Sequence, residues 1–424
     1  MMIAAGVILA LLALFGAPLF AVIAASALLS FYAASGDWQI LQIVPIEIYR
    51  IAEMPILLAI PLFTFAGYML SESQAPSRLV RLTSALLGWM PGGLAIVALF
   101  ACAFFTAFTG ASGVTIIALG AILYPALKEA GYRNNFNLGL VTSAGSLGLL
   151  FAPSLPLILY GIVAEVSIDD LFLAGIFPGL LMLAMLSGWS LWVNRDLRGP
   201  KGTFSWTNTR KVLWESRYEI PLPFVVLGGI YSGYFAVSEA AAVTALYVIV
   251  VEVFLLREIG LRQLPMIMRN SMVLVGGILI ILGVSLASTT YMIEAEIPAK
   301  LFALAREHVS SPLTFLLLLN VFLLLLGAIL DIFSALVLVV PLILPVALGY
   351  GIHPVHLGMI FLANMQLGYL TPPVGLNLFI SSYRFNRPIM EVYAATLPFL
   401  LILFASVLVI TYWPTLSLML LGGD

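Results

Sequence analysis

Charge is what this chain has least of. Only 9% of its 424 residues are Asp, Glu, Lys or Arg, against 62% hydrophobic, whereas soluble domains carry about 25% charged residues. A water-soluble globule is therefore excluded, and the roughly 20 apolar residues that a membrane span needs recur along the sequence. A net charge of −2 leaves no basic footprint for nucleic acid. The single cysteine, Cys102, excludes an intramolecular disulfide and reads as a small core residue. No Gly-x-x-x-x-Gly-Lys phosphate loop is present, so ATP drive has no support. The N-terminal apolar run has no early basic cluster and continues to Ala34; it reads as mature membrane sequence and not as a cleaved signal.

What the chain does have is a repeat. FTGASGVT (108–115), Gly131 and GSLGLLFAPSLP (145–156) are echoed by LGAILDIFS (326–334), Gly351 and QLGYLTPPVG (366–375). Pro125 and Pro345, Gly131 and Gly351, Gly148 and Gly368, and Pro153 and Pro373 all stand 220 residues apart. The expected organisation is an all-α integral membrane protein of two inverted-topology repeats, 1–193 and 220–424, joined by a linker over 194–219. The first holds a re-entrant hairpin at about 92–128 and a broken helix at about 136–164. The second holds a hairpin at about 312–348 and a broken helix at about 354–383. Hairpins are expected because each apolar arm is about 16 residues, short for a full span. A polar stretch with Asp37, Glu47, Arg50 and Glu53 precedes a helix over about 55–71. Residues 72–91 suit an interfacial helix, and Arg257, Arg262 and Arg269 mark a second interfacial piece before a helix over about 271–291.

The basic residues orient the chain. With the linker (Arg195, Arg198, Lys201, Arg210, Lys211, Arg217) in the cytoplasm, 15 of the 18 Lys and Arg fall inside; only Arg50, Lys300 and Arg306 fall outside. That is the positive-inside pattern. The first hairpin then enters from the cytoplasm and the second from the outside.

Broken helices in lipid must have their freed backbone groups satisfied by neighbours or ligands. Helix N-termini offer N–H groups to an anion, and unwound carbonyls offer oxygen to a small cation. Each tip with its adjacent break can form a small-cation cage from carbonyls and hydroxyls, and the two cages would flank one anion site. The donors on offer at the tips and breaks include Ser112, Thr115 and Ser146 in the first repeat, with Asp331, Ser334 and Thr371 in the second. Thr109, Ser112, Ser154, Thr371 and Asn377 are expected at the substrate, with Ser143, Asn364 and Gln366 as further polar groups. The competing reading for each hydroxyl is back-bonding within its own helix.

Asp331 is the sharpest single residue. A carboxylate at membrane depth costs about 2.5–3.5 kcal/mol, and no Lys or Arg lies between Arg306 and Arg384. Glu239, near a helix start, reads equally as a cap. Gly110–Ala111–Ser112–Gly113 also spells the GxSG of intramembrane serine proteases. A nucleophilic serine needs a base within reach; His308, His353 and His356 are all expected in outer loops, away from Ser112.

IPLFTFAGYML (60–70), FTGASGVTIIALGAILYPALKEAGY (108–132), GSLGLLFAPSLPLILYG (145–161), LFLAGIFPGLL (171–181), GAILDIFSALVLVVPLILP (327–345) and LGYLTPPVGLNLF (367–379) resemble the large membrane subunit of tripartite ATP-independent periplasmic (TRAP) transporters. The resemblance covers nearly the whole chain and implies no enzymatic activity. It implies an ion-transporter-superfamily fold and a sodium-driven, elevator-type importer of small organic anions in the bacterial inner membrane. It further implies a small membrane subunit and a periplasmic substrate-binding protein as partners, with Na+ as coupling ion held at Gly110, Ser112, Thr115, Ser146 and Gly148 in the first repeat and at Gly327, Asp331, Ser334, Gly368 and Thr371 in the second. The alternative within the same superfamily is a stand-alone sodium-coupled carboxylate symporter or exchanger. The chain departs from the family pattern at Ala152–Pro153–Ser154, where Pro-Pro-Ser is common, and at Ala236–Val237–Ser238–Glu239–Ala240.

Overall fold

A computed structural model describes residues 6–421 apart from 10, 13–14, 89, 91, 196–204 and 310. Linker residues Arg198 and Lys201 and the first residues of the N-terminal apolar run thus lie outside the described residues. Among those described there is no strand. Among the described residues seven helices are long and apolar enough to cross a membrane, or up to nine if each of two bent pairs counts as one span.

Glycine and proline punctuate the chain where the repeat pattern places them. Gly93–Thr109 and Ser112–Glu129 flank the first tip, and Pro312–Gly327 and Ile332–Gly349 flank the second. The two outgoing arms, Ser112–Glu129 and Ile332–Gly349, have 18 residues each and start and end 220 apart. By length and apolarity alone these two arms fall among the possible spans. The first broken helix runs as Asn134–Ala144, a 3-10 turn Leu147–Leu150 and Leu155–Ala164, with a 43° bend. The second runs as Pro354–Gly368 and Leu376–Phe385. The bonds before Pro153 and Pro373 are both cis.

Packing divides these elements into two groups. In one, Leu19–Ser35 lies along the long helix Leu264–Glu294, and Val237–Ile249 lies along Ala59–Glu72. In the other, each hairpin's outgoing arm packs on the far half of the opposite broken helix. Ile332–Gly349 meets Leu155–Ala164, and Ser112–Glu129 meets Leu376–Phe385. Ile176–Val193 and Ile389–Tyr412 flank this second group, where Phe136, Trp189 and Phe399 interlock as an aromatic cluster.

Two of the contacts between the groups follow from the sequence. Gly67 has no Cβ, so the backbone of Phe108 and Thr109 comes up against Ala59–Glu72. Pro341 has no N–H to give the carbonyl of Val337 one turn earlier. The Ser285 hydroxyl of the long helix donates to that carbonyl instead, at 2.8 Å.

The structure adds one element and changes two expectations. The polar stretch near Arg50 forms a helix, Ile43–Arg50, with an Arg50–Glu47 ion pair of 3.0 Å. Arg269 is not in a separate interfacial piece, because Leu264–Glu294 is continuous from Pro265, which suits the first helical turn. His356 is not in a loop. It is buried within Pro354–Gly368, its ring nitrogens 3.2 Å from Ser417 Oγ and from Thr411 O. The interfacial helix is present as Ala75–Leu87. Its Arg78 is buried and reaches three carboxylates, those of Glu219, Glu252 and Glu258, which ties this helix to the first group, while it also packs along Gly93–Thr109 of the first hairpin. Glu239 is a cap: its carboxylate accepts the Ala236 N–H at 3.0 Å.

Candidate functional site

The two hairpin tips are built differently. Gly93–Thr109 ends on Gly110, whose φ of 62° is a backbone conformation that glycine adopts without strain. The Gly110 N–H closes on Thr106 O at 2.8 Å. A side chain at Gly110 would fall on Leu155, so this tip lies against the restart of the broken helix. Thr106 and Thr115 are equidistant from the tip on opposing arms, and their hydroxyls meet at 2.7 Å. Thr106 also donates to the Gly145 carbonyl at 2.9 Å, which leaves Thr115 to donate to Thr106. Gly148, inside the break, has the backbone of Ala103 and Ala107 where a Cβ would be.

Thr109, Ser112, Thr115, Ser143, Ser146 and Ser154 are all buried here. The hydroxyls of Ser143 and Ser154 have no hydrogen-bond partner in the protein. A buried polar group left unpaired costs about 1–3 kcal/mol, so these two are groups that a bound ion, water or substrate would satisfy.

At the second tip, Gly327 and Gly368 touch backbone to backbone. The Ala328 carbonyl accepts the N–H groups of Val374 and Gly375, each at 3.2 Å. The Tyr369 hydroxyl accepts the Ile332 N–H at 2.9 Å. Asp331 is the helix N-cap: its carboxylate accepts from the N–H groups of Phe333 (3.0 Å) and Ser334 (3.1 Å) and from the Ser334 hydroxyl. Asp331 is exposed, and Thr371 is half-buried with its hydroxyl back-bonded to Leu367 O at 3.0 Å. For Thr371 the local reading therefore describes the observed contact. Asn364 donates to Asn320 Oδ1 at 2.6 Å. Gln366 is fully buried, and neither its amide oxygen nor its nitrogen has a protein partner.

Asn377 joins the two halves. Its side-chain nitrogen donates to Ser146 Oγ at 3.2 Å and to Thr142 O at 3.4 Å, while its Oδ1 has no partner. The Thr142 hydroxyl in turn meets Ser381 at 2.8 Å. The breaks of both repeats thus share one buried polar seam lined by small side chains, hydroxyls and amides, with no Lys or Arg among these residues. Such a seam suits a small cation held by oxygen atoms and a polar ligand held by amides and N–H groups.

Sequence reasoning passed over Thr106 and Tyr369. Thr106 was partly legible: in a hairpin folded at Gly110–Ala111, residues 106 and 115 lie at the same depth on the two arms, and helical phase decides whether they face each other. No histidine approaches the GxSG serine. The described partners are Leu304 for His308, Val355 for His353, and Ser417 with Thr411 for His356.

Residues 6–416 match the family model described as "Tripartite ATP-independent periplasmic transporter, DctM component". The chain belongs to this family. It is 35% identical over 380 residues to the C4-dicarboxylate TRAP transporter large permease protein DctM of Pseudomonas aeruginosa, covering 88% of each chain. It is 30% identical to the ectoine/5-hydroxyectoine TRAP transporter large permease protein UehC of Ruegeria pomeroyi, covering 86% of this chain and 85% of the relative. It is 32% identical over 392 residues to the isethionate TRAP transporter permease protein DctMQ of Oleidesulfovibrio alaskensis. There it spans 92% of itself but only 61% of the relative's length. Among solved structures, the Alcanivorax borkumensis YdaH transporter, whose topology is described as unusual, superposes with a TM-score of 0.59 at 14% identity, over 89% of both chains. That likeness is one of fold. The chain is therefore a multi-pass membrane permease subunit of the TRAP family, and not an enzyme.

Proposed function

We propose that this TRAP large permease subunit imports a small organic acid by coupling it to sodium. The observation that carries the reading is the pair of tip-and-break junctions 220 residues apart, each pressing glycine backbone on backbone and meeting at the buried seam around Asn377 and Ser146. In the first junction the cation is held among Gly110, Ser112, Thr115, Ser146 and Gly148. In the second it is held by backbone oxygens around Gly327, Gly368 and Thr371, while Asp331 and Ser334 fix the shape of the tip. The substrate's acidic group lies between them, against Thr109, Ser154 and Asn377. Two cations beside one anion lower the cost of carrying that anion through a medium of low dielectric. Dicarboxylates, ectoines and isethionate all carry an acidic group, and the relatives named for them support an organic acid here.

The two repeats are read as inverted. The group holding hairpins and broken helices moves as one body along the group built on Leu264–Glu294, in an elevator motion across the Gly67 and Ser285 contacts. The linker faces the cytoplasm of the bacterial inner membrane. A small membrane subunit covers part of the static group, and a periplasmic binding protein delivers the substrate. Uptake into proteoliposomes, with both partners present, tests the coupling. Each net charge moved is worth about 2.3 kcal/mol per 100 mV, so the membrane potential must be clamped. Uptake should require an inward sodium gradient; equal uptake with choline in place of sodium refutes it.

A further inference from the structure

The linker carries a helix, Trp206–Glu215, that the transport reading does not use. Its inner face is short: Thr209 and Val212 are buried against Ala75–Leu87, with Thr209 Oγ1 3.4 Å from Ala85 O. The outer face repeats at the i, i+4 spacing that places residues on one side of a helix. It presents Trp206, Arg210 and Trp214, with Lys211 beside them; the two tryptophans are 66% and 69% exposed. Arg217 continues the same face, its guanidinium stacked over the rings of Trp214 and Tyr218 at 4.7 and 4.6 Å.

An open groove of about 800 Å³ runs along this face, lined by Thr207, Arg210, Lys211, Leu213, Trp214 and Glu215. Glu215 is drawn aside to Arg81, 3.7 Å away. Arg210 and Lys211 make no ion pair among the described residues. Among the described residues the groove thus has two positive charges without an ion-pair partner at one wall and the apolar surfaces of Leu213 and Trp214 at another. Tryptophan is enriched at the level of lipid headgroups, and guanidinium and ammonium groups are suited to phosphate. The helix on which it rests, Ala75–Leu87, is itself amphipathic, burying Leu79, Val80 and Leu82.

We infer that this groove binds an anionic phospholipid of the leaflet that the linker faces. The phosphate pairs with Arg210 and Lys211, and the glycerol and first acyl carbons lie on Leu213 and Trp214. The inference needs only that the chain sits in a bilayer, and stands apart from sodium coupling.

Native mass spectrometry on the purified full chain tests it, with dioleoylphosphatidylglycerol or dioleoylphosphatidylcholine added in detergent. Phosphatidylglycerol should bind preferentially, and more weakly as ionic strength rises. The double substitution Arg210→Gln with Lys211→Gln should weaken it roughly thirtyfold, which is about 2 kcal/mol at 1.4 kcal/mol per decade for two basic residues. The charge-keeping pair Arg210→Lys with Lys211→Arg should retain binding. Equal binding of the two lipids, or unchanged phosphatidylglycerol binding in the glutamine pair, overturns the inference. So does displacement of the lipid by the small membrane subunit, which would assign the face to a protein partner.

Discussion

Replacing Gly368 by alanine probes the second junction where it cannot yield. The new Cβ would lie 2.5 Å from the Cα and carbonyl carbon of Gly327, where ordinary contact is 3.4–4 Å. The obstacle is backbone, so no rotamer change relieves it, and tip and break must separate by about 1 Å. Overpacking of this kind typically costs about 1–3 kcal/mol. If that falls on the cation-bound state, the sodium concentration for half-maximal uptake rises by roughly one to two decades at 1.4 kcal/mol each. Uptake by the reconstituted complex, titrated with sodium at fixed potential, reads this shift directly. Gly276→Ala is the control: it lies in Leu264–Glu294 with nothing within 4 Å of its Cβ. There alanine should be neutral or stabilising, because glycine in a helix costs about 1 kcal/mol. An unchanged sodium half-saturation in Gly368→Ala would remove the tip–break junction from the ion site.

Asp331→Asn should leave sodium half-saturation within about twofold, because asparagine caps helices as aspartate does; Asp331→Ala should lower thermal stability in detergent by about 1 kcal/mol. Ser285→Ala should cost about 1–3 kcal/mol by exposing the Val337 carbonyl without a partner, measured as loss of thermal stability. In a Pro341→Ala background, where the restored backbone N–H can reach that carbonyl, the cost should fall toward zero; additivity of the two changes refutes the pairing. Arg78→Ala should lower stability by about 3–5 kcal/mol, since it strands buried carboxylates, and a neutral outcome in thermal unfolding would contradict the hub. A cysteine at Thr207 in a Cys102→Ala background should resist impermeant thiol reagent in intact cells; labelling from outside would reverse the orientation.

Much of this architecture is legible because glycine and proline mark it. Gly110, Gly131 and Gly351 adopt positive φ at turns, and Pro125 and Pro345 sit at matching places in the two outgoing arms. Chemistry was harder to read than geometry. Asp331 is isolated from basic residues in the sequence, which suggests a cation; in the structure its carboxylate accepts three hydrogen bonds at its own helix start, a local use that the isolation does not reveal. Ion pairs between remote segments leave no pattern: Arg78 and its three carboxylates are 141 to 180 residues apart. His356 reads as a loop residue from its proximity to Gly351 and Pro354, whereas helix burial and two bonds to the C-terminal region take it inside. Asn377 bridging to Ser146 depends on how the two breaks cross, which periodicity within one repeat does not encode.

The central claim is that both tips close around sodium. Single cysteines at Ala111 and Ile329 in a Cys102→Ala background can be labelled with a small thiol reagent in the purified complex. Sodium chloride should slow modification at each tip relative to choline chloride, with saturable dependence on sodium. Rates at both tips that are the same in sodium and in choline would contradict the account.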